Sequence, residues 1–447
     1  MHRGLIPGPG FLIAASQASL DLQVKGPPAM ILQNGTKRIG IEKGKAGRRL
    51  NIVRIGHSHH QRPPLDGVAK WMEKESGTMP NLKTGTNGRG PWRCILWAVL
   101  LAVLTGLPVQ THRVWADGAE NRYAALESYI PAAMKQSRVP GLALAIFDGQ
   151  GIVYSKGFGV KKAGAADPVG EDTIFQAASL SKTVTAYAAM ILVERGQLGL
   201  DEPLGHYLKK PYLPNPRDAE RITLRMVLNH TSGMSNDSDG KDRKVYFTPG
   251  TRFSYSGAGF RYLQQVLEEV TGSGFAEWVE REVFKPLGMN LSSFAFQEER
   301  LALMAYGHEA GVAFPIARKA VNAAYSLLTT PSDLARFYAE VCRPTLLKPE
   351  TVAMMLTPAV QWRKDIYWGL GFGILKSPDA AFFWHWGNTY YYTNMMIAGK
   401  DSGTGAVIMT NGNTGMRLAE RLAIKVANEY LLETGAALNP ETFDFIR

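Results

Sequence analysis

The 447-residue sequence predicts an α+β fold: an antiparallel sheet flanked by N- and C-terminal helices, with an inserted, mostly helical domain. Three observations point to it. Two apolar runs joined by a DG-type turn lie near residue 150, four more short runs crowd between 369 and 410, and helical periodicity dominates the stretch between them. Strands from both ends then build one sheet, about 117–175 and 366–433, and the middle, about 176–365, becomes the insertion. The cleft between the two is the natural ligand site.

A helical pattern at about 119–137 opens the domain. Leu142 to Phe147, the turn Asp148-Gly149-Gln150-Gly151 and Ile152-Val153-Tyr154 then read as a hairpin. From Ser179 to Arg195, apolar residues at Leu180, Val184, Ala188, Ile191 and Leu192 mark a buried amphipathic helix stopped by Gly196. Helical patterns at 259–271 and 331–343 follow, separated by long loops. Candidate strands at about 369–376, 381–387, 390–398 and 404–410 form a meander, and a last helix runs from Arg417 to Leu432.

Charge separates this domain from what precedes it. Residues 1–116 carry 16 Lys+Arg against 5 Asp+Glu, a net +11; the total of 50 against 39 leaves 34 of each sign for 117–447. A net charge of zero argues against nucleic acid as a partner. Trp92-Arg93, the apolar run Cys94 to Val109 and the small residues of Val114-Trp115-Ala116 read as a secretory signal peptide spanning 79–116. The run is about 16 residues, shorter than the roughly 20 of a spanning helix. The expectation is an exported, periplasmic or secreted protein with no stable membrane partner, anchored only if the signal is not cleaved. Residues 1–78, rich in Gly, Lys and Arg and without periodicity, read as an over-extended reading frame or a disordered tail. Cys342 stands alone after the signal, and His206, His230, His308 and His385 are scattered without HExxH spacing, so neither a disulfide framework nor a metal site is expected.

The chemistry starts at Ser179-Leu-Ser-Lys182, an SxxK pair at the head of an apolar helix. Ser and Lys three apart share a helix face, and a lysine held neutral by burial and by the helix dipole can take the serine proton. Free N–H groups at the helix start can face an oxyanion. The pair alone also fits a plainer account, with Ser179 as helix N-cap and Lys182 as a solvated first-turn lysine, and Ser238-Asp-Gly-Lys241 shows the same spacing in a polar loop.

Further segments decide the matter. With Phe253-Ser-Tyr255-Ser-Gly257, Trp384-His385-Trp386-Gly387-Asn388, Leu224 to Gly233 containing Asn-His230-Thr-Ser-Gly, Phe284-Lys-Pro-Leu-Gly-Met289 and Thr330-Pro-Ser-Asp-Leu-Ala335, residues 120–430 resemble the serine β-lactamase, penicillin-binding protein and esterase superfamily, especially its class C-like branch. The resemblance implies Ser179 as acylated nucleophile, Lys182 as its base and Tyr255 as proton relay. It places His385-Trp386-Gly387 where well-known members have Lys-Thr-Gly, makes the Asn388 N–H the second oxyanion donor, and has Gly387 admit substrate to the strand edge. No cofactor or metal is implied.

Two departures shape the substrate. Gly257 replaces an asparagine that contacts acylamide substrates in many relatives, and His385 replaces a fixed cation with a group partly charged near neutral pH. Both favour a neutral or weakly anionic ester, amide or peptide, hence a small-molecule or peptide substrate. His230 reads as structural, away from the nucleophile. Tyr390, Tyr391 and Tyr392, with Trp362, Tyr367 and Trp368, are candidates for an aromatic acyl pocket. Three readings stand: an esterase or peptidase-like hydrolase, which leads; a β-lactamase or penicillin-binding D,D-peptidase; and a catalytically silent sensor or binding module. The absence of a GxSxG elbow excludes an α/β-hydrolase.

Overall fold

The computed structural model describes residues 122–377 and 380–431, with Leu438 and Thr442. The tail and signal-peptide expectations for 1–116, and the start of the first helix, lie outside the described residues. Helix α1 (Ala124–Ser137) leads into strands β1 (Gly141–Asp148) and β2 (Gly151–Gly159), the expected hairpin. Its turn is set by Asp148, whose carboxylate accepts the N–H groups of Gln150 at 2.7 Å and Gly151 at 3.1 Å.

The insertion contributes α2 (Ser181–Glu194), α3 (Gly257–Thr271) and α4 (Pro331–Cys342). The chain then returns to the sheet with β3 (Val360–Arg363), β4 (Ile366–Trp368), β5 (Gly373–Lys376), β6 (Ala381–Asn388), β7 (Thr393–Gly399) and β8 (Gly405–Thr410), and helix α5 (Met416–Val426) follows. The sheet is antiparallel, in the order β2-β1-β8-β7-β6-β5-β4-β3. The two ends of the domain meet where β1 pairs β8, Leu142 opposite Thr410 through Phe147 opposite Gly405.

Side chains alternate across the sheet and feed two cores. Leu142, Leu144 and Ile146 of β1 pack with Leu126 and Ile130 of α1 and Leu418 and Leu422 of α5. Ala143, Ala145 and Phe147 face the other way, toward Val184 and Ala188 of α2 and Leu334 and Phe337 of α4. With both faces covered, β1 reads as an unbroken apolar run.

The structure adds what the sequence reading lacked. Strands β3 and β4 extend the sheet to six late strands where four were expected, and the sheet resumes at 360, ahead of the expected 366. Gln361 and Arg363 are exposed on this edge, so the run is half polar and reads as loop. Nor is the insertion uniformly helical. Two short strand pairs cross it, Phe175–Gln176 with Leu328–Thr329 and Gly307–Glu309 with Val312–Phe314. No helix among the described residues is long and apolar enough to cross a membrane.

Candidate active site

Ser179 does not cap α2. It sits in a single 3₁₀ turn, Ala178–Leu180, between the short strand Phe175–Gln176 and the helix, and the N-cap position is Leu180, without a side-chain cap. Ala178 adopts φ 53°, a left-handed conformation costly for a residue with a Cβ. The surroundings hold that turn. The Asn394 side chain on β7 donates to Gln176 O at 3.0 Å, and Ala177 N–H donates to Leu327 O at 2.8 Å. The Ser181 hydroxyl donates to Ala178 O at 2.6 Å while accepting Leu327 N–H at 3.1 Å.

One turn on, Lys182 is 1% exposed, so the solvated first-turn lysine is excluded. Its Nζ donates to Ala324 O at 2.9 Å and lies 3.1 Å from Ser179 Oγ. Burial depresses its pKa to about 7. A neutral amine here spends one proton on Ala324 O and keeps a lone pair for the serine hydroxyl. The rings of Tyr255 and Phe260 close over Nζ at 5.0 and 5.6 Å.

The Tyr255 hydroxyl is buried and makes no full hydrogen bond, yet Ser179 is near enough to pull its pKa down against the burial that raises it further. The phenol is therefore neutral. His230 fixes this tyrosine. Its carbonyl oxygen accepts the Ser254 N–H at 2.8 Å, its Nδ1 accepts the Ser256 N–H at 3.1 Å, and its ring packs 4.3 Å from that of Tyr255. A φ of 60° at His230, tolerated by few side chains, turns both acceptors toward the same strand of loop. His230 is structural, as expected, and what it supports is the Tyr255 segment of the site; burial first, and the Lys182 charge second, hold its pKa well below the usual imidazole value. Only Asn-His-Thr-Ser-Gly in the sequence pointed to it, without saying why.

On β6 the structure corrects the role expected of His385. The ring is fully buried; its Nδ1–H donates to Trp386 O at 2.7 Å and its Nε2 is unpaired. Burial first, and the Lys182 charge second, lower its pKa to about 3, so it is neutral where partial charge was expected. Gly387 meets a second constraint beside the one expected of it. A Cβ there would overlap the Ala177 carbonyl oxygen and approach Ala178 Cβ to 3.2 Å, so the glycine lets β6 close on the Ser179 turn.

The strand register sets the direction of the Asn388 N–H. Lys400 N–H donates to Ala381 O and Thr389 N–H to Tyr392 O, which makes odd-numbered residues of β6 the partners of β7. The N–H of Asn388 thus points to the other edge, where pairing with β5 ends at Trp384 opposite Gly373. The Ser179 N–H likewise makes no hydrogen bond within the described residues.

Aromatic rings line β3 to β6: Trp362 stacks at 6.0 Å on Trp386, and Phe253 lies 5.1 Å from Trp362. Tyr367 is half-buried, Trp368 is core, and the Tyr392 hydroxyl is buried on Ala305 O at 2.8 Å. Tyr391 stacks on Phe314 at 4.7 Å, and Tyr390 is 76% exposed. Two open cavities of about 410 and 440 Å³ flank Tyr212 and share none of the residues around Ser179. Among the described residues no group of three His, Cys, Asp or Glu is placed to hold a metal ion.

The family model described as Beta-lactamase matches residues 126–430. Penicillin-binding protein 4 of Amycolatopsis lactamdurans is 24% identical over 348 residues, 70% of this chain and 90% of that protein. Esterase EstB of Burkholderia gladioli is 32% identical over 213 residues, covering 40% of this chain and 54% of the esterase. The solved octameric penicillin-binding protein homologue from Pyrococcus abyssi superposes with a TM-score of 0.60 at 26% identity, over 71% of this chain and 78% of that one.

Proposed function

This chain belongs to the beta-lactamase family, and from that premise we propose that it is a serine hydrolase forming an acyl-enzyme on Ser179 and acting on a carboxylic ester, amide or peptide. The observation that carries the reading is the buried Lys182 Nζ, 3.1 Å from Ser179 Oγ and lowered to about 7. Lys182 takes the serine proton as Oγ attacks the carbonyl carbon. The N–H groups of Ser179 and Asn388 hold the oxyanion, and neutral Tyr255 passes a proton to the leaving group. Water then attacks the ester carbonyl, the Lys182–Tyr255 pair takes its proton, and the acid leaves with Ser179 restored.

A buried, neutral His385 offers no cation beside the strand edge, which supports a neutral small-molecule or peptide substrate over one selected by its carboxylate. The names of the relatives cover penicillin-binding, β-lactamase and esterase proteins and leave that choice to experiment. We also propose export, on the reading of residues 79–116 as a signal peptide; recovery of the native chain in the cytoplasmic fraction would overturn it.

The test is intact-protein mass spectrometry with a fluorophosphonate, a short-chain p-nitrophenyl ester and a cephalosporin, alongside hydrolysis rates. An adduct on the parent but not on Ser179→Ala, with ester turnover, supports the proposal. Undiminished turnover by Ser179→Ala removes the nucleophile, and rapid cephalosporin hydrolysis moves the substrate to β-lactams.

A further inference from the structure

Positive charge gathers around Tyr212, on the walls of the two cavities that flank it. Those walls come from 208–214, from 241–244 and from Gln265 and Glu269 of α3, and Tyr212 and Arg243 belong to both cavities. Lys209 and Lys210 border one, Lys241 and Lys244 the other. With Arg243 this makes five cations against two acids, Asp242 and Glu269, in a domain that carries 34 of each sign.

The two acids are already engaged. Glu269 pairs with Lys209 at 2.5 Å, and Asp242 accepts the Tyr246 hydroxyl at 2.8 Å and the Lys244 N–H at 3.1 Å. Arg243 has no carboxylate partner among the described residues. Its guanidinium lies 4.4 Å from the centre of the Tyr212 ring, which is itself stacked at 4.8 Å on Tyr262. Its Nε and Nη1 donate to the carbonyl oxygens of Gly240 and Tyr212 at 3.2 and 3.4 Å. The planar fork is thus oriented before any ligand arrives, with N–H groups to spare. The ammonium groups of Lys210, Lys241 and Lys244 make no ion pair or hydrogen bond among the described residues.

Such walls suit an anion, and phosphate more than carboxylate. The two oxygens of a carboxylate are occupied by one guanidinium fork, whereas a phosphoryl group has three outward oxygens and up to two charges, enough for the fork and a lysine together. Cavities of about 410 and 440 Å³ on either side of one arginine accommodate two such groups joined in a chain. Their concave shape suits a chain that enters them over the flat face of a bilayer.

We infer that the paired cavities bind a soluble phosphate chain, with phosphoryl groups lodged on either side of Arg243. Neither cavity contains a residue around Ser179, so the inference is independent of the acyl-transfer reading.

The test is hydrogen-exchange mass spectrometry of the full chain with tripolyphosphate as the probe, which reads the cavities separately from the basic leader. Residues 208–214 and 241–244 gain protection as the probe saturates, and lose it as ionic strength rises. In Arg243→Gln the concentration for half-maximal protection rises about tenfold or more. Because Arg243 also ties down its own loop, Lys210→Gln combined with Lys241→Gln serves as a second variant, whose altered side chains hold nothing in the fold; there the concentration rises about 3- to 10-fold. No protection in the parent, an unchanged concentration in the lysine double variant, or equal protection by tricarballylate, a tricarboxylate, overturns the phosphate site. Protection by phosphatidylglycerol vesicles without protection by tripolyphosphate means a membrane surface and overturns it as well.

Discussion

His230 holds Tyr255 from both sides: its carbonyl oxygen takes the N–H of Ser254, and its Nδ1 takes the N–H of Ser256. The tyrosine that faces Ser179 is thereby fixed by a residue 25 positions earlier in the chain. Replacing the imidazole orphans a buried N–H and frees the loop. His230→Ala is expected to lower kcat about 10- to 100-fold and stability by about 1–3 kcal/mol. His230→Asn, which keeps a side-chain acceptor, recovers part of the kcat. Steady-state kinetics with thermal melts would check this, and unaltered kcat in His230→Ala would refute the positioning role.

The depressed pKa of Lys182 has two consequences of defined sign. Only the neutral amine accepts the serine proton, so kcat/KM rises with pH through about 7 and levels above it. Stability follows the same group. Between about 7, folded, and 10.5, unfolded, the unfolded chain holds a proton that the folded chain lacks, so stability rises with pH across that window and the cost of burying the charge is complete below it. Lys182→Met removes that cost, roughly 3 to 5 kcal/mol at its limit. It should be inactive yet melt higher than the parent, with a larger margin at pH 6 than at pH 10. A margin that grows with pH would contradict the burial argument.

At Gly387 the smallest added side chain meets the Ala177 carbonyl oxygen, so Gly387→Ala forces β6 off the nucleophile turn. The expected result is a stability loss of about 1–3 kcal/mol and a fall of tenfold or more in kcat, since a shift of an ångström misaligns the Asn388 donor. Differential scanning fluorimetry and the rate of fluorophosphonate labelling would measure the two effects. Parent-like labelling would mean that the strand edge does not serve the reaction.

His385, neutral in its buried setting, should confer no preference for anions. For a matched pair of esters, one with a distal carboxylate and one neutral, the ratio of kcat/KM values stays within about twofold between pH 8 and 5.5. Both members share the Lys182 titration, which cancels in the ratio. A ratio that climbs as pH falls would restore a protonated His385 to the site.

What was legible in the sequence was local. Ser179 and Lys182 are one helical turn apart, so their spacing alone brings them together, and the β1 run reads as strand because both its faces are covered. Long-range partners left no such trace. Asn394 reaches Gln176 across 218 positions, and Ala324 and Leu327 act through backbone atoms that every residue possesses. The sequence marked His385 and Gly387 by position, but the charge state of the first depends on its burial and then on Lys182, and the steric reason for the second on Ala177, all set only by folding. Strand β3 was hidden by the polar residues that its edge position permits.

The pairing of β1 with β8 also dictates an order of events during synthesis. Residue 142 leaves the ribosome well before its partner at 410, and the segment before Ser179 waits equally for Asn394. The proposed nucleophile can be armed only after nearly the whole domain has been made, and closing so long a loop is slow. A chain stalled or clipped ahead of β7 carries the complete Ser179–Lys182 helix but no closed sheet to brace it. On the proposed reading, hydrolytic activity doubles as a report that the chain has been translated to its last strands and has closed its sheet.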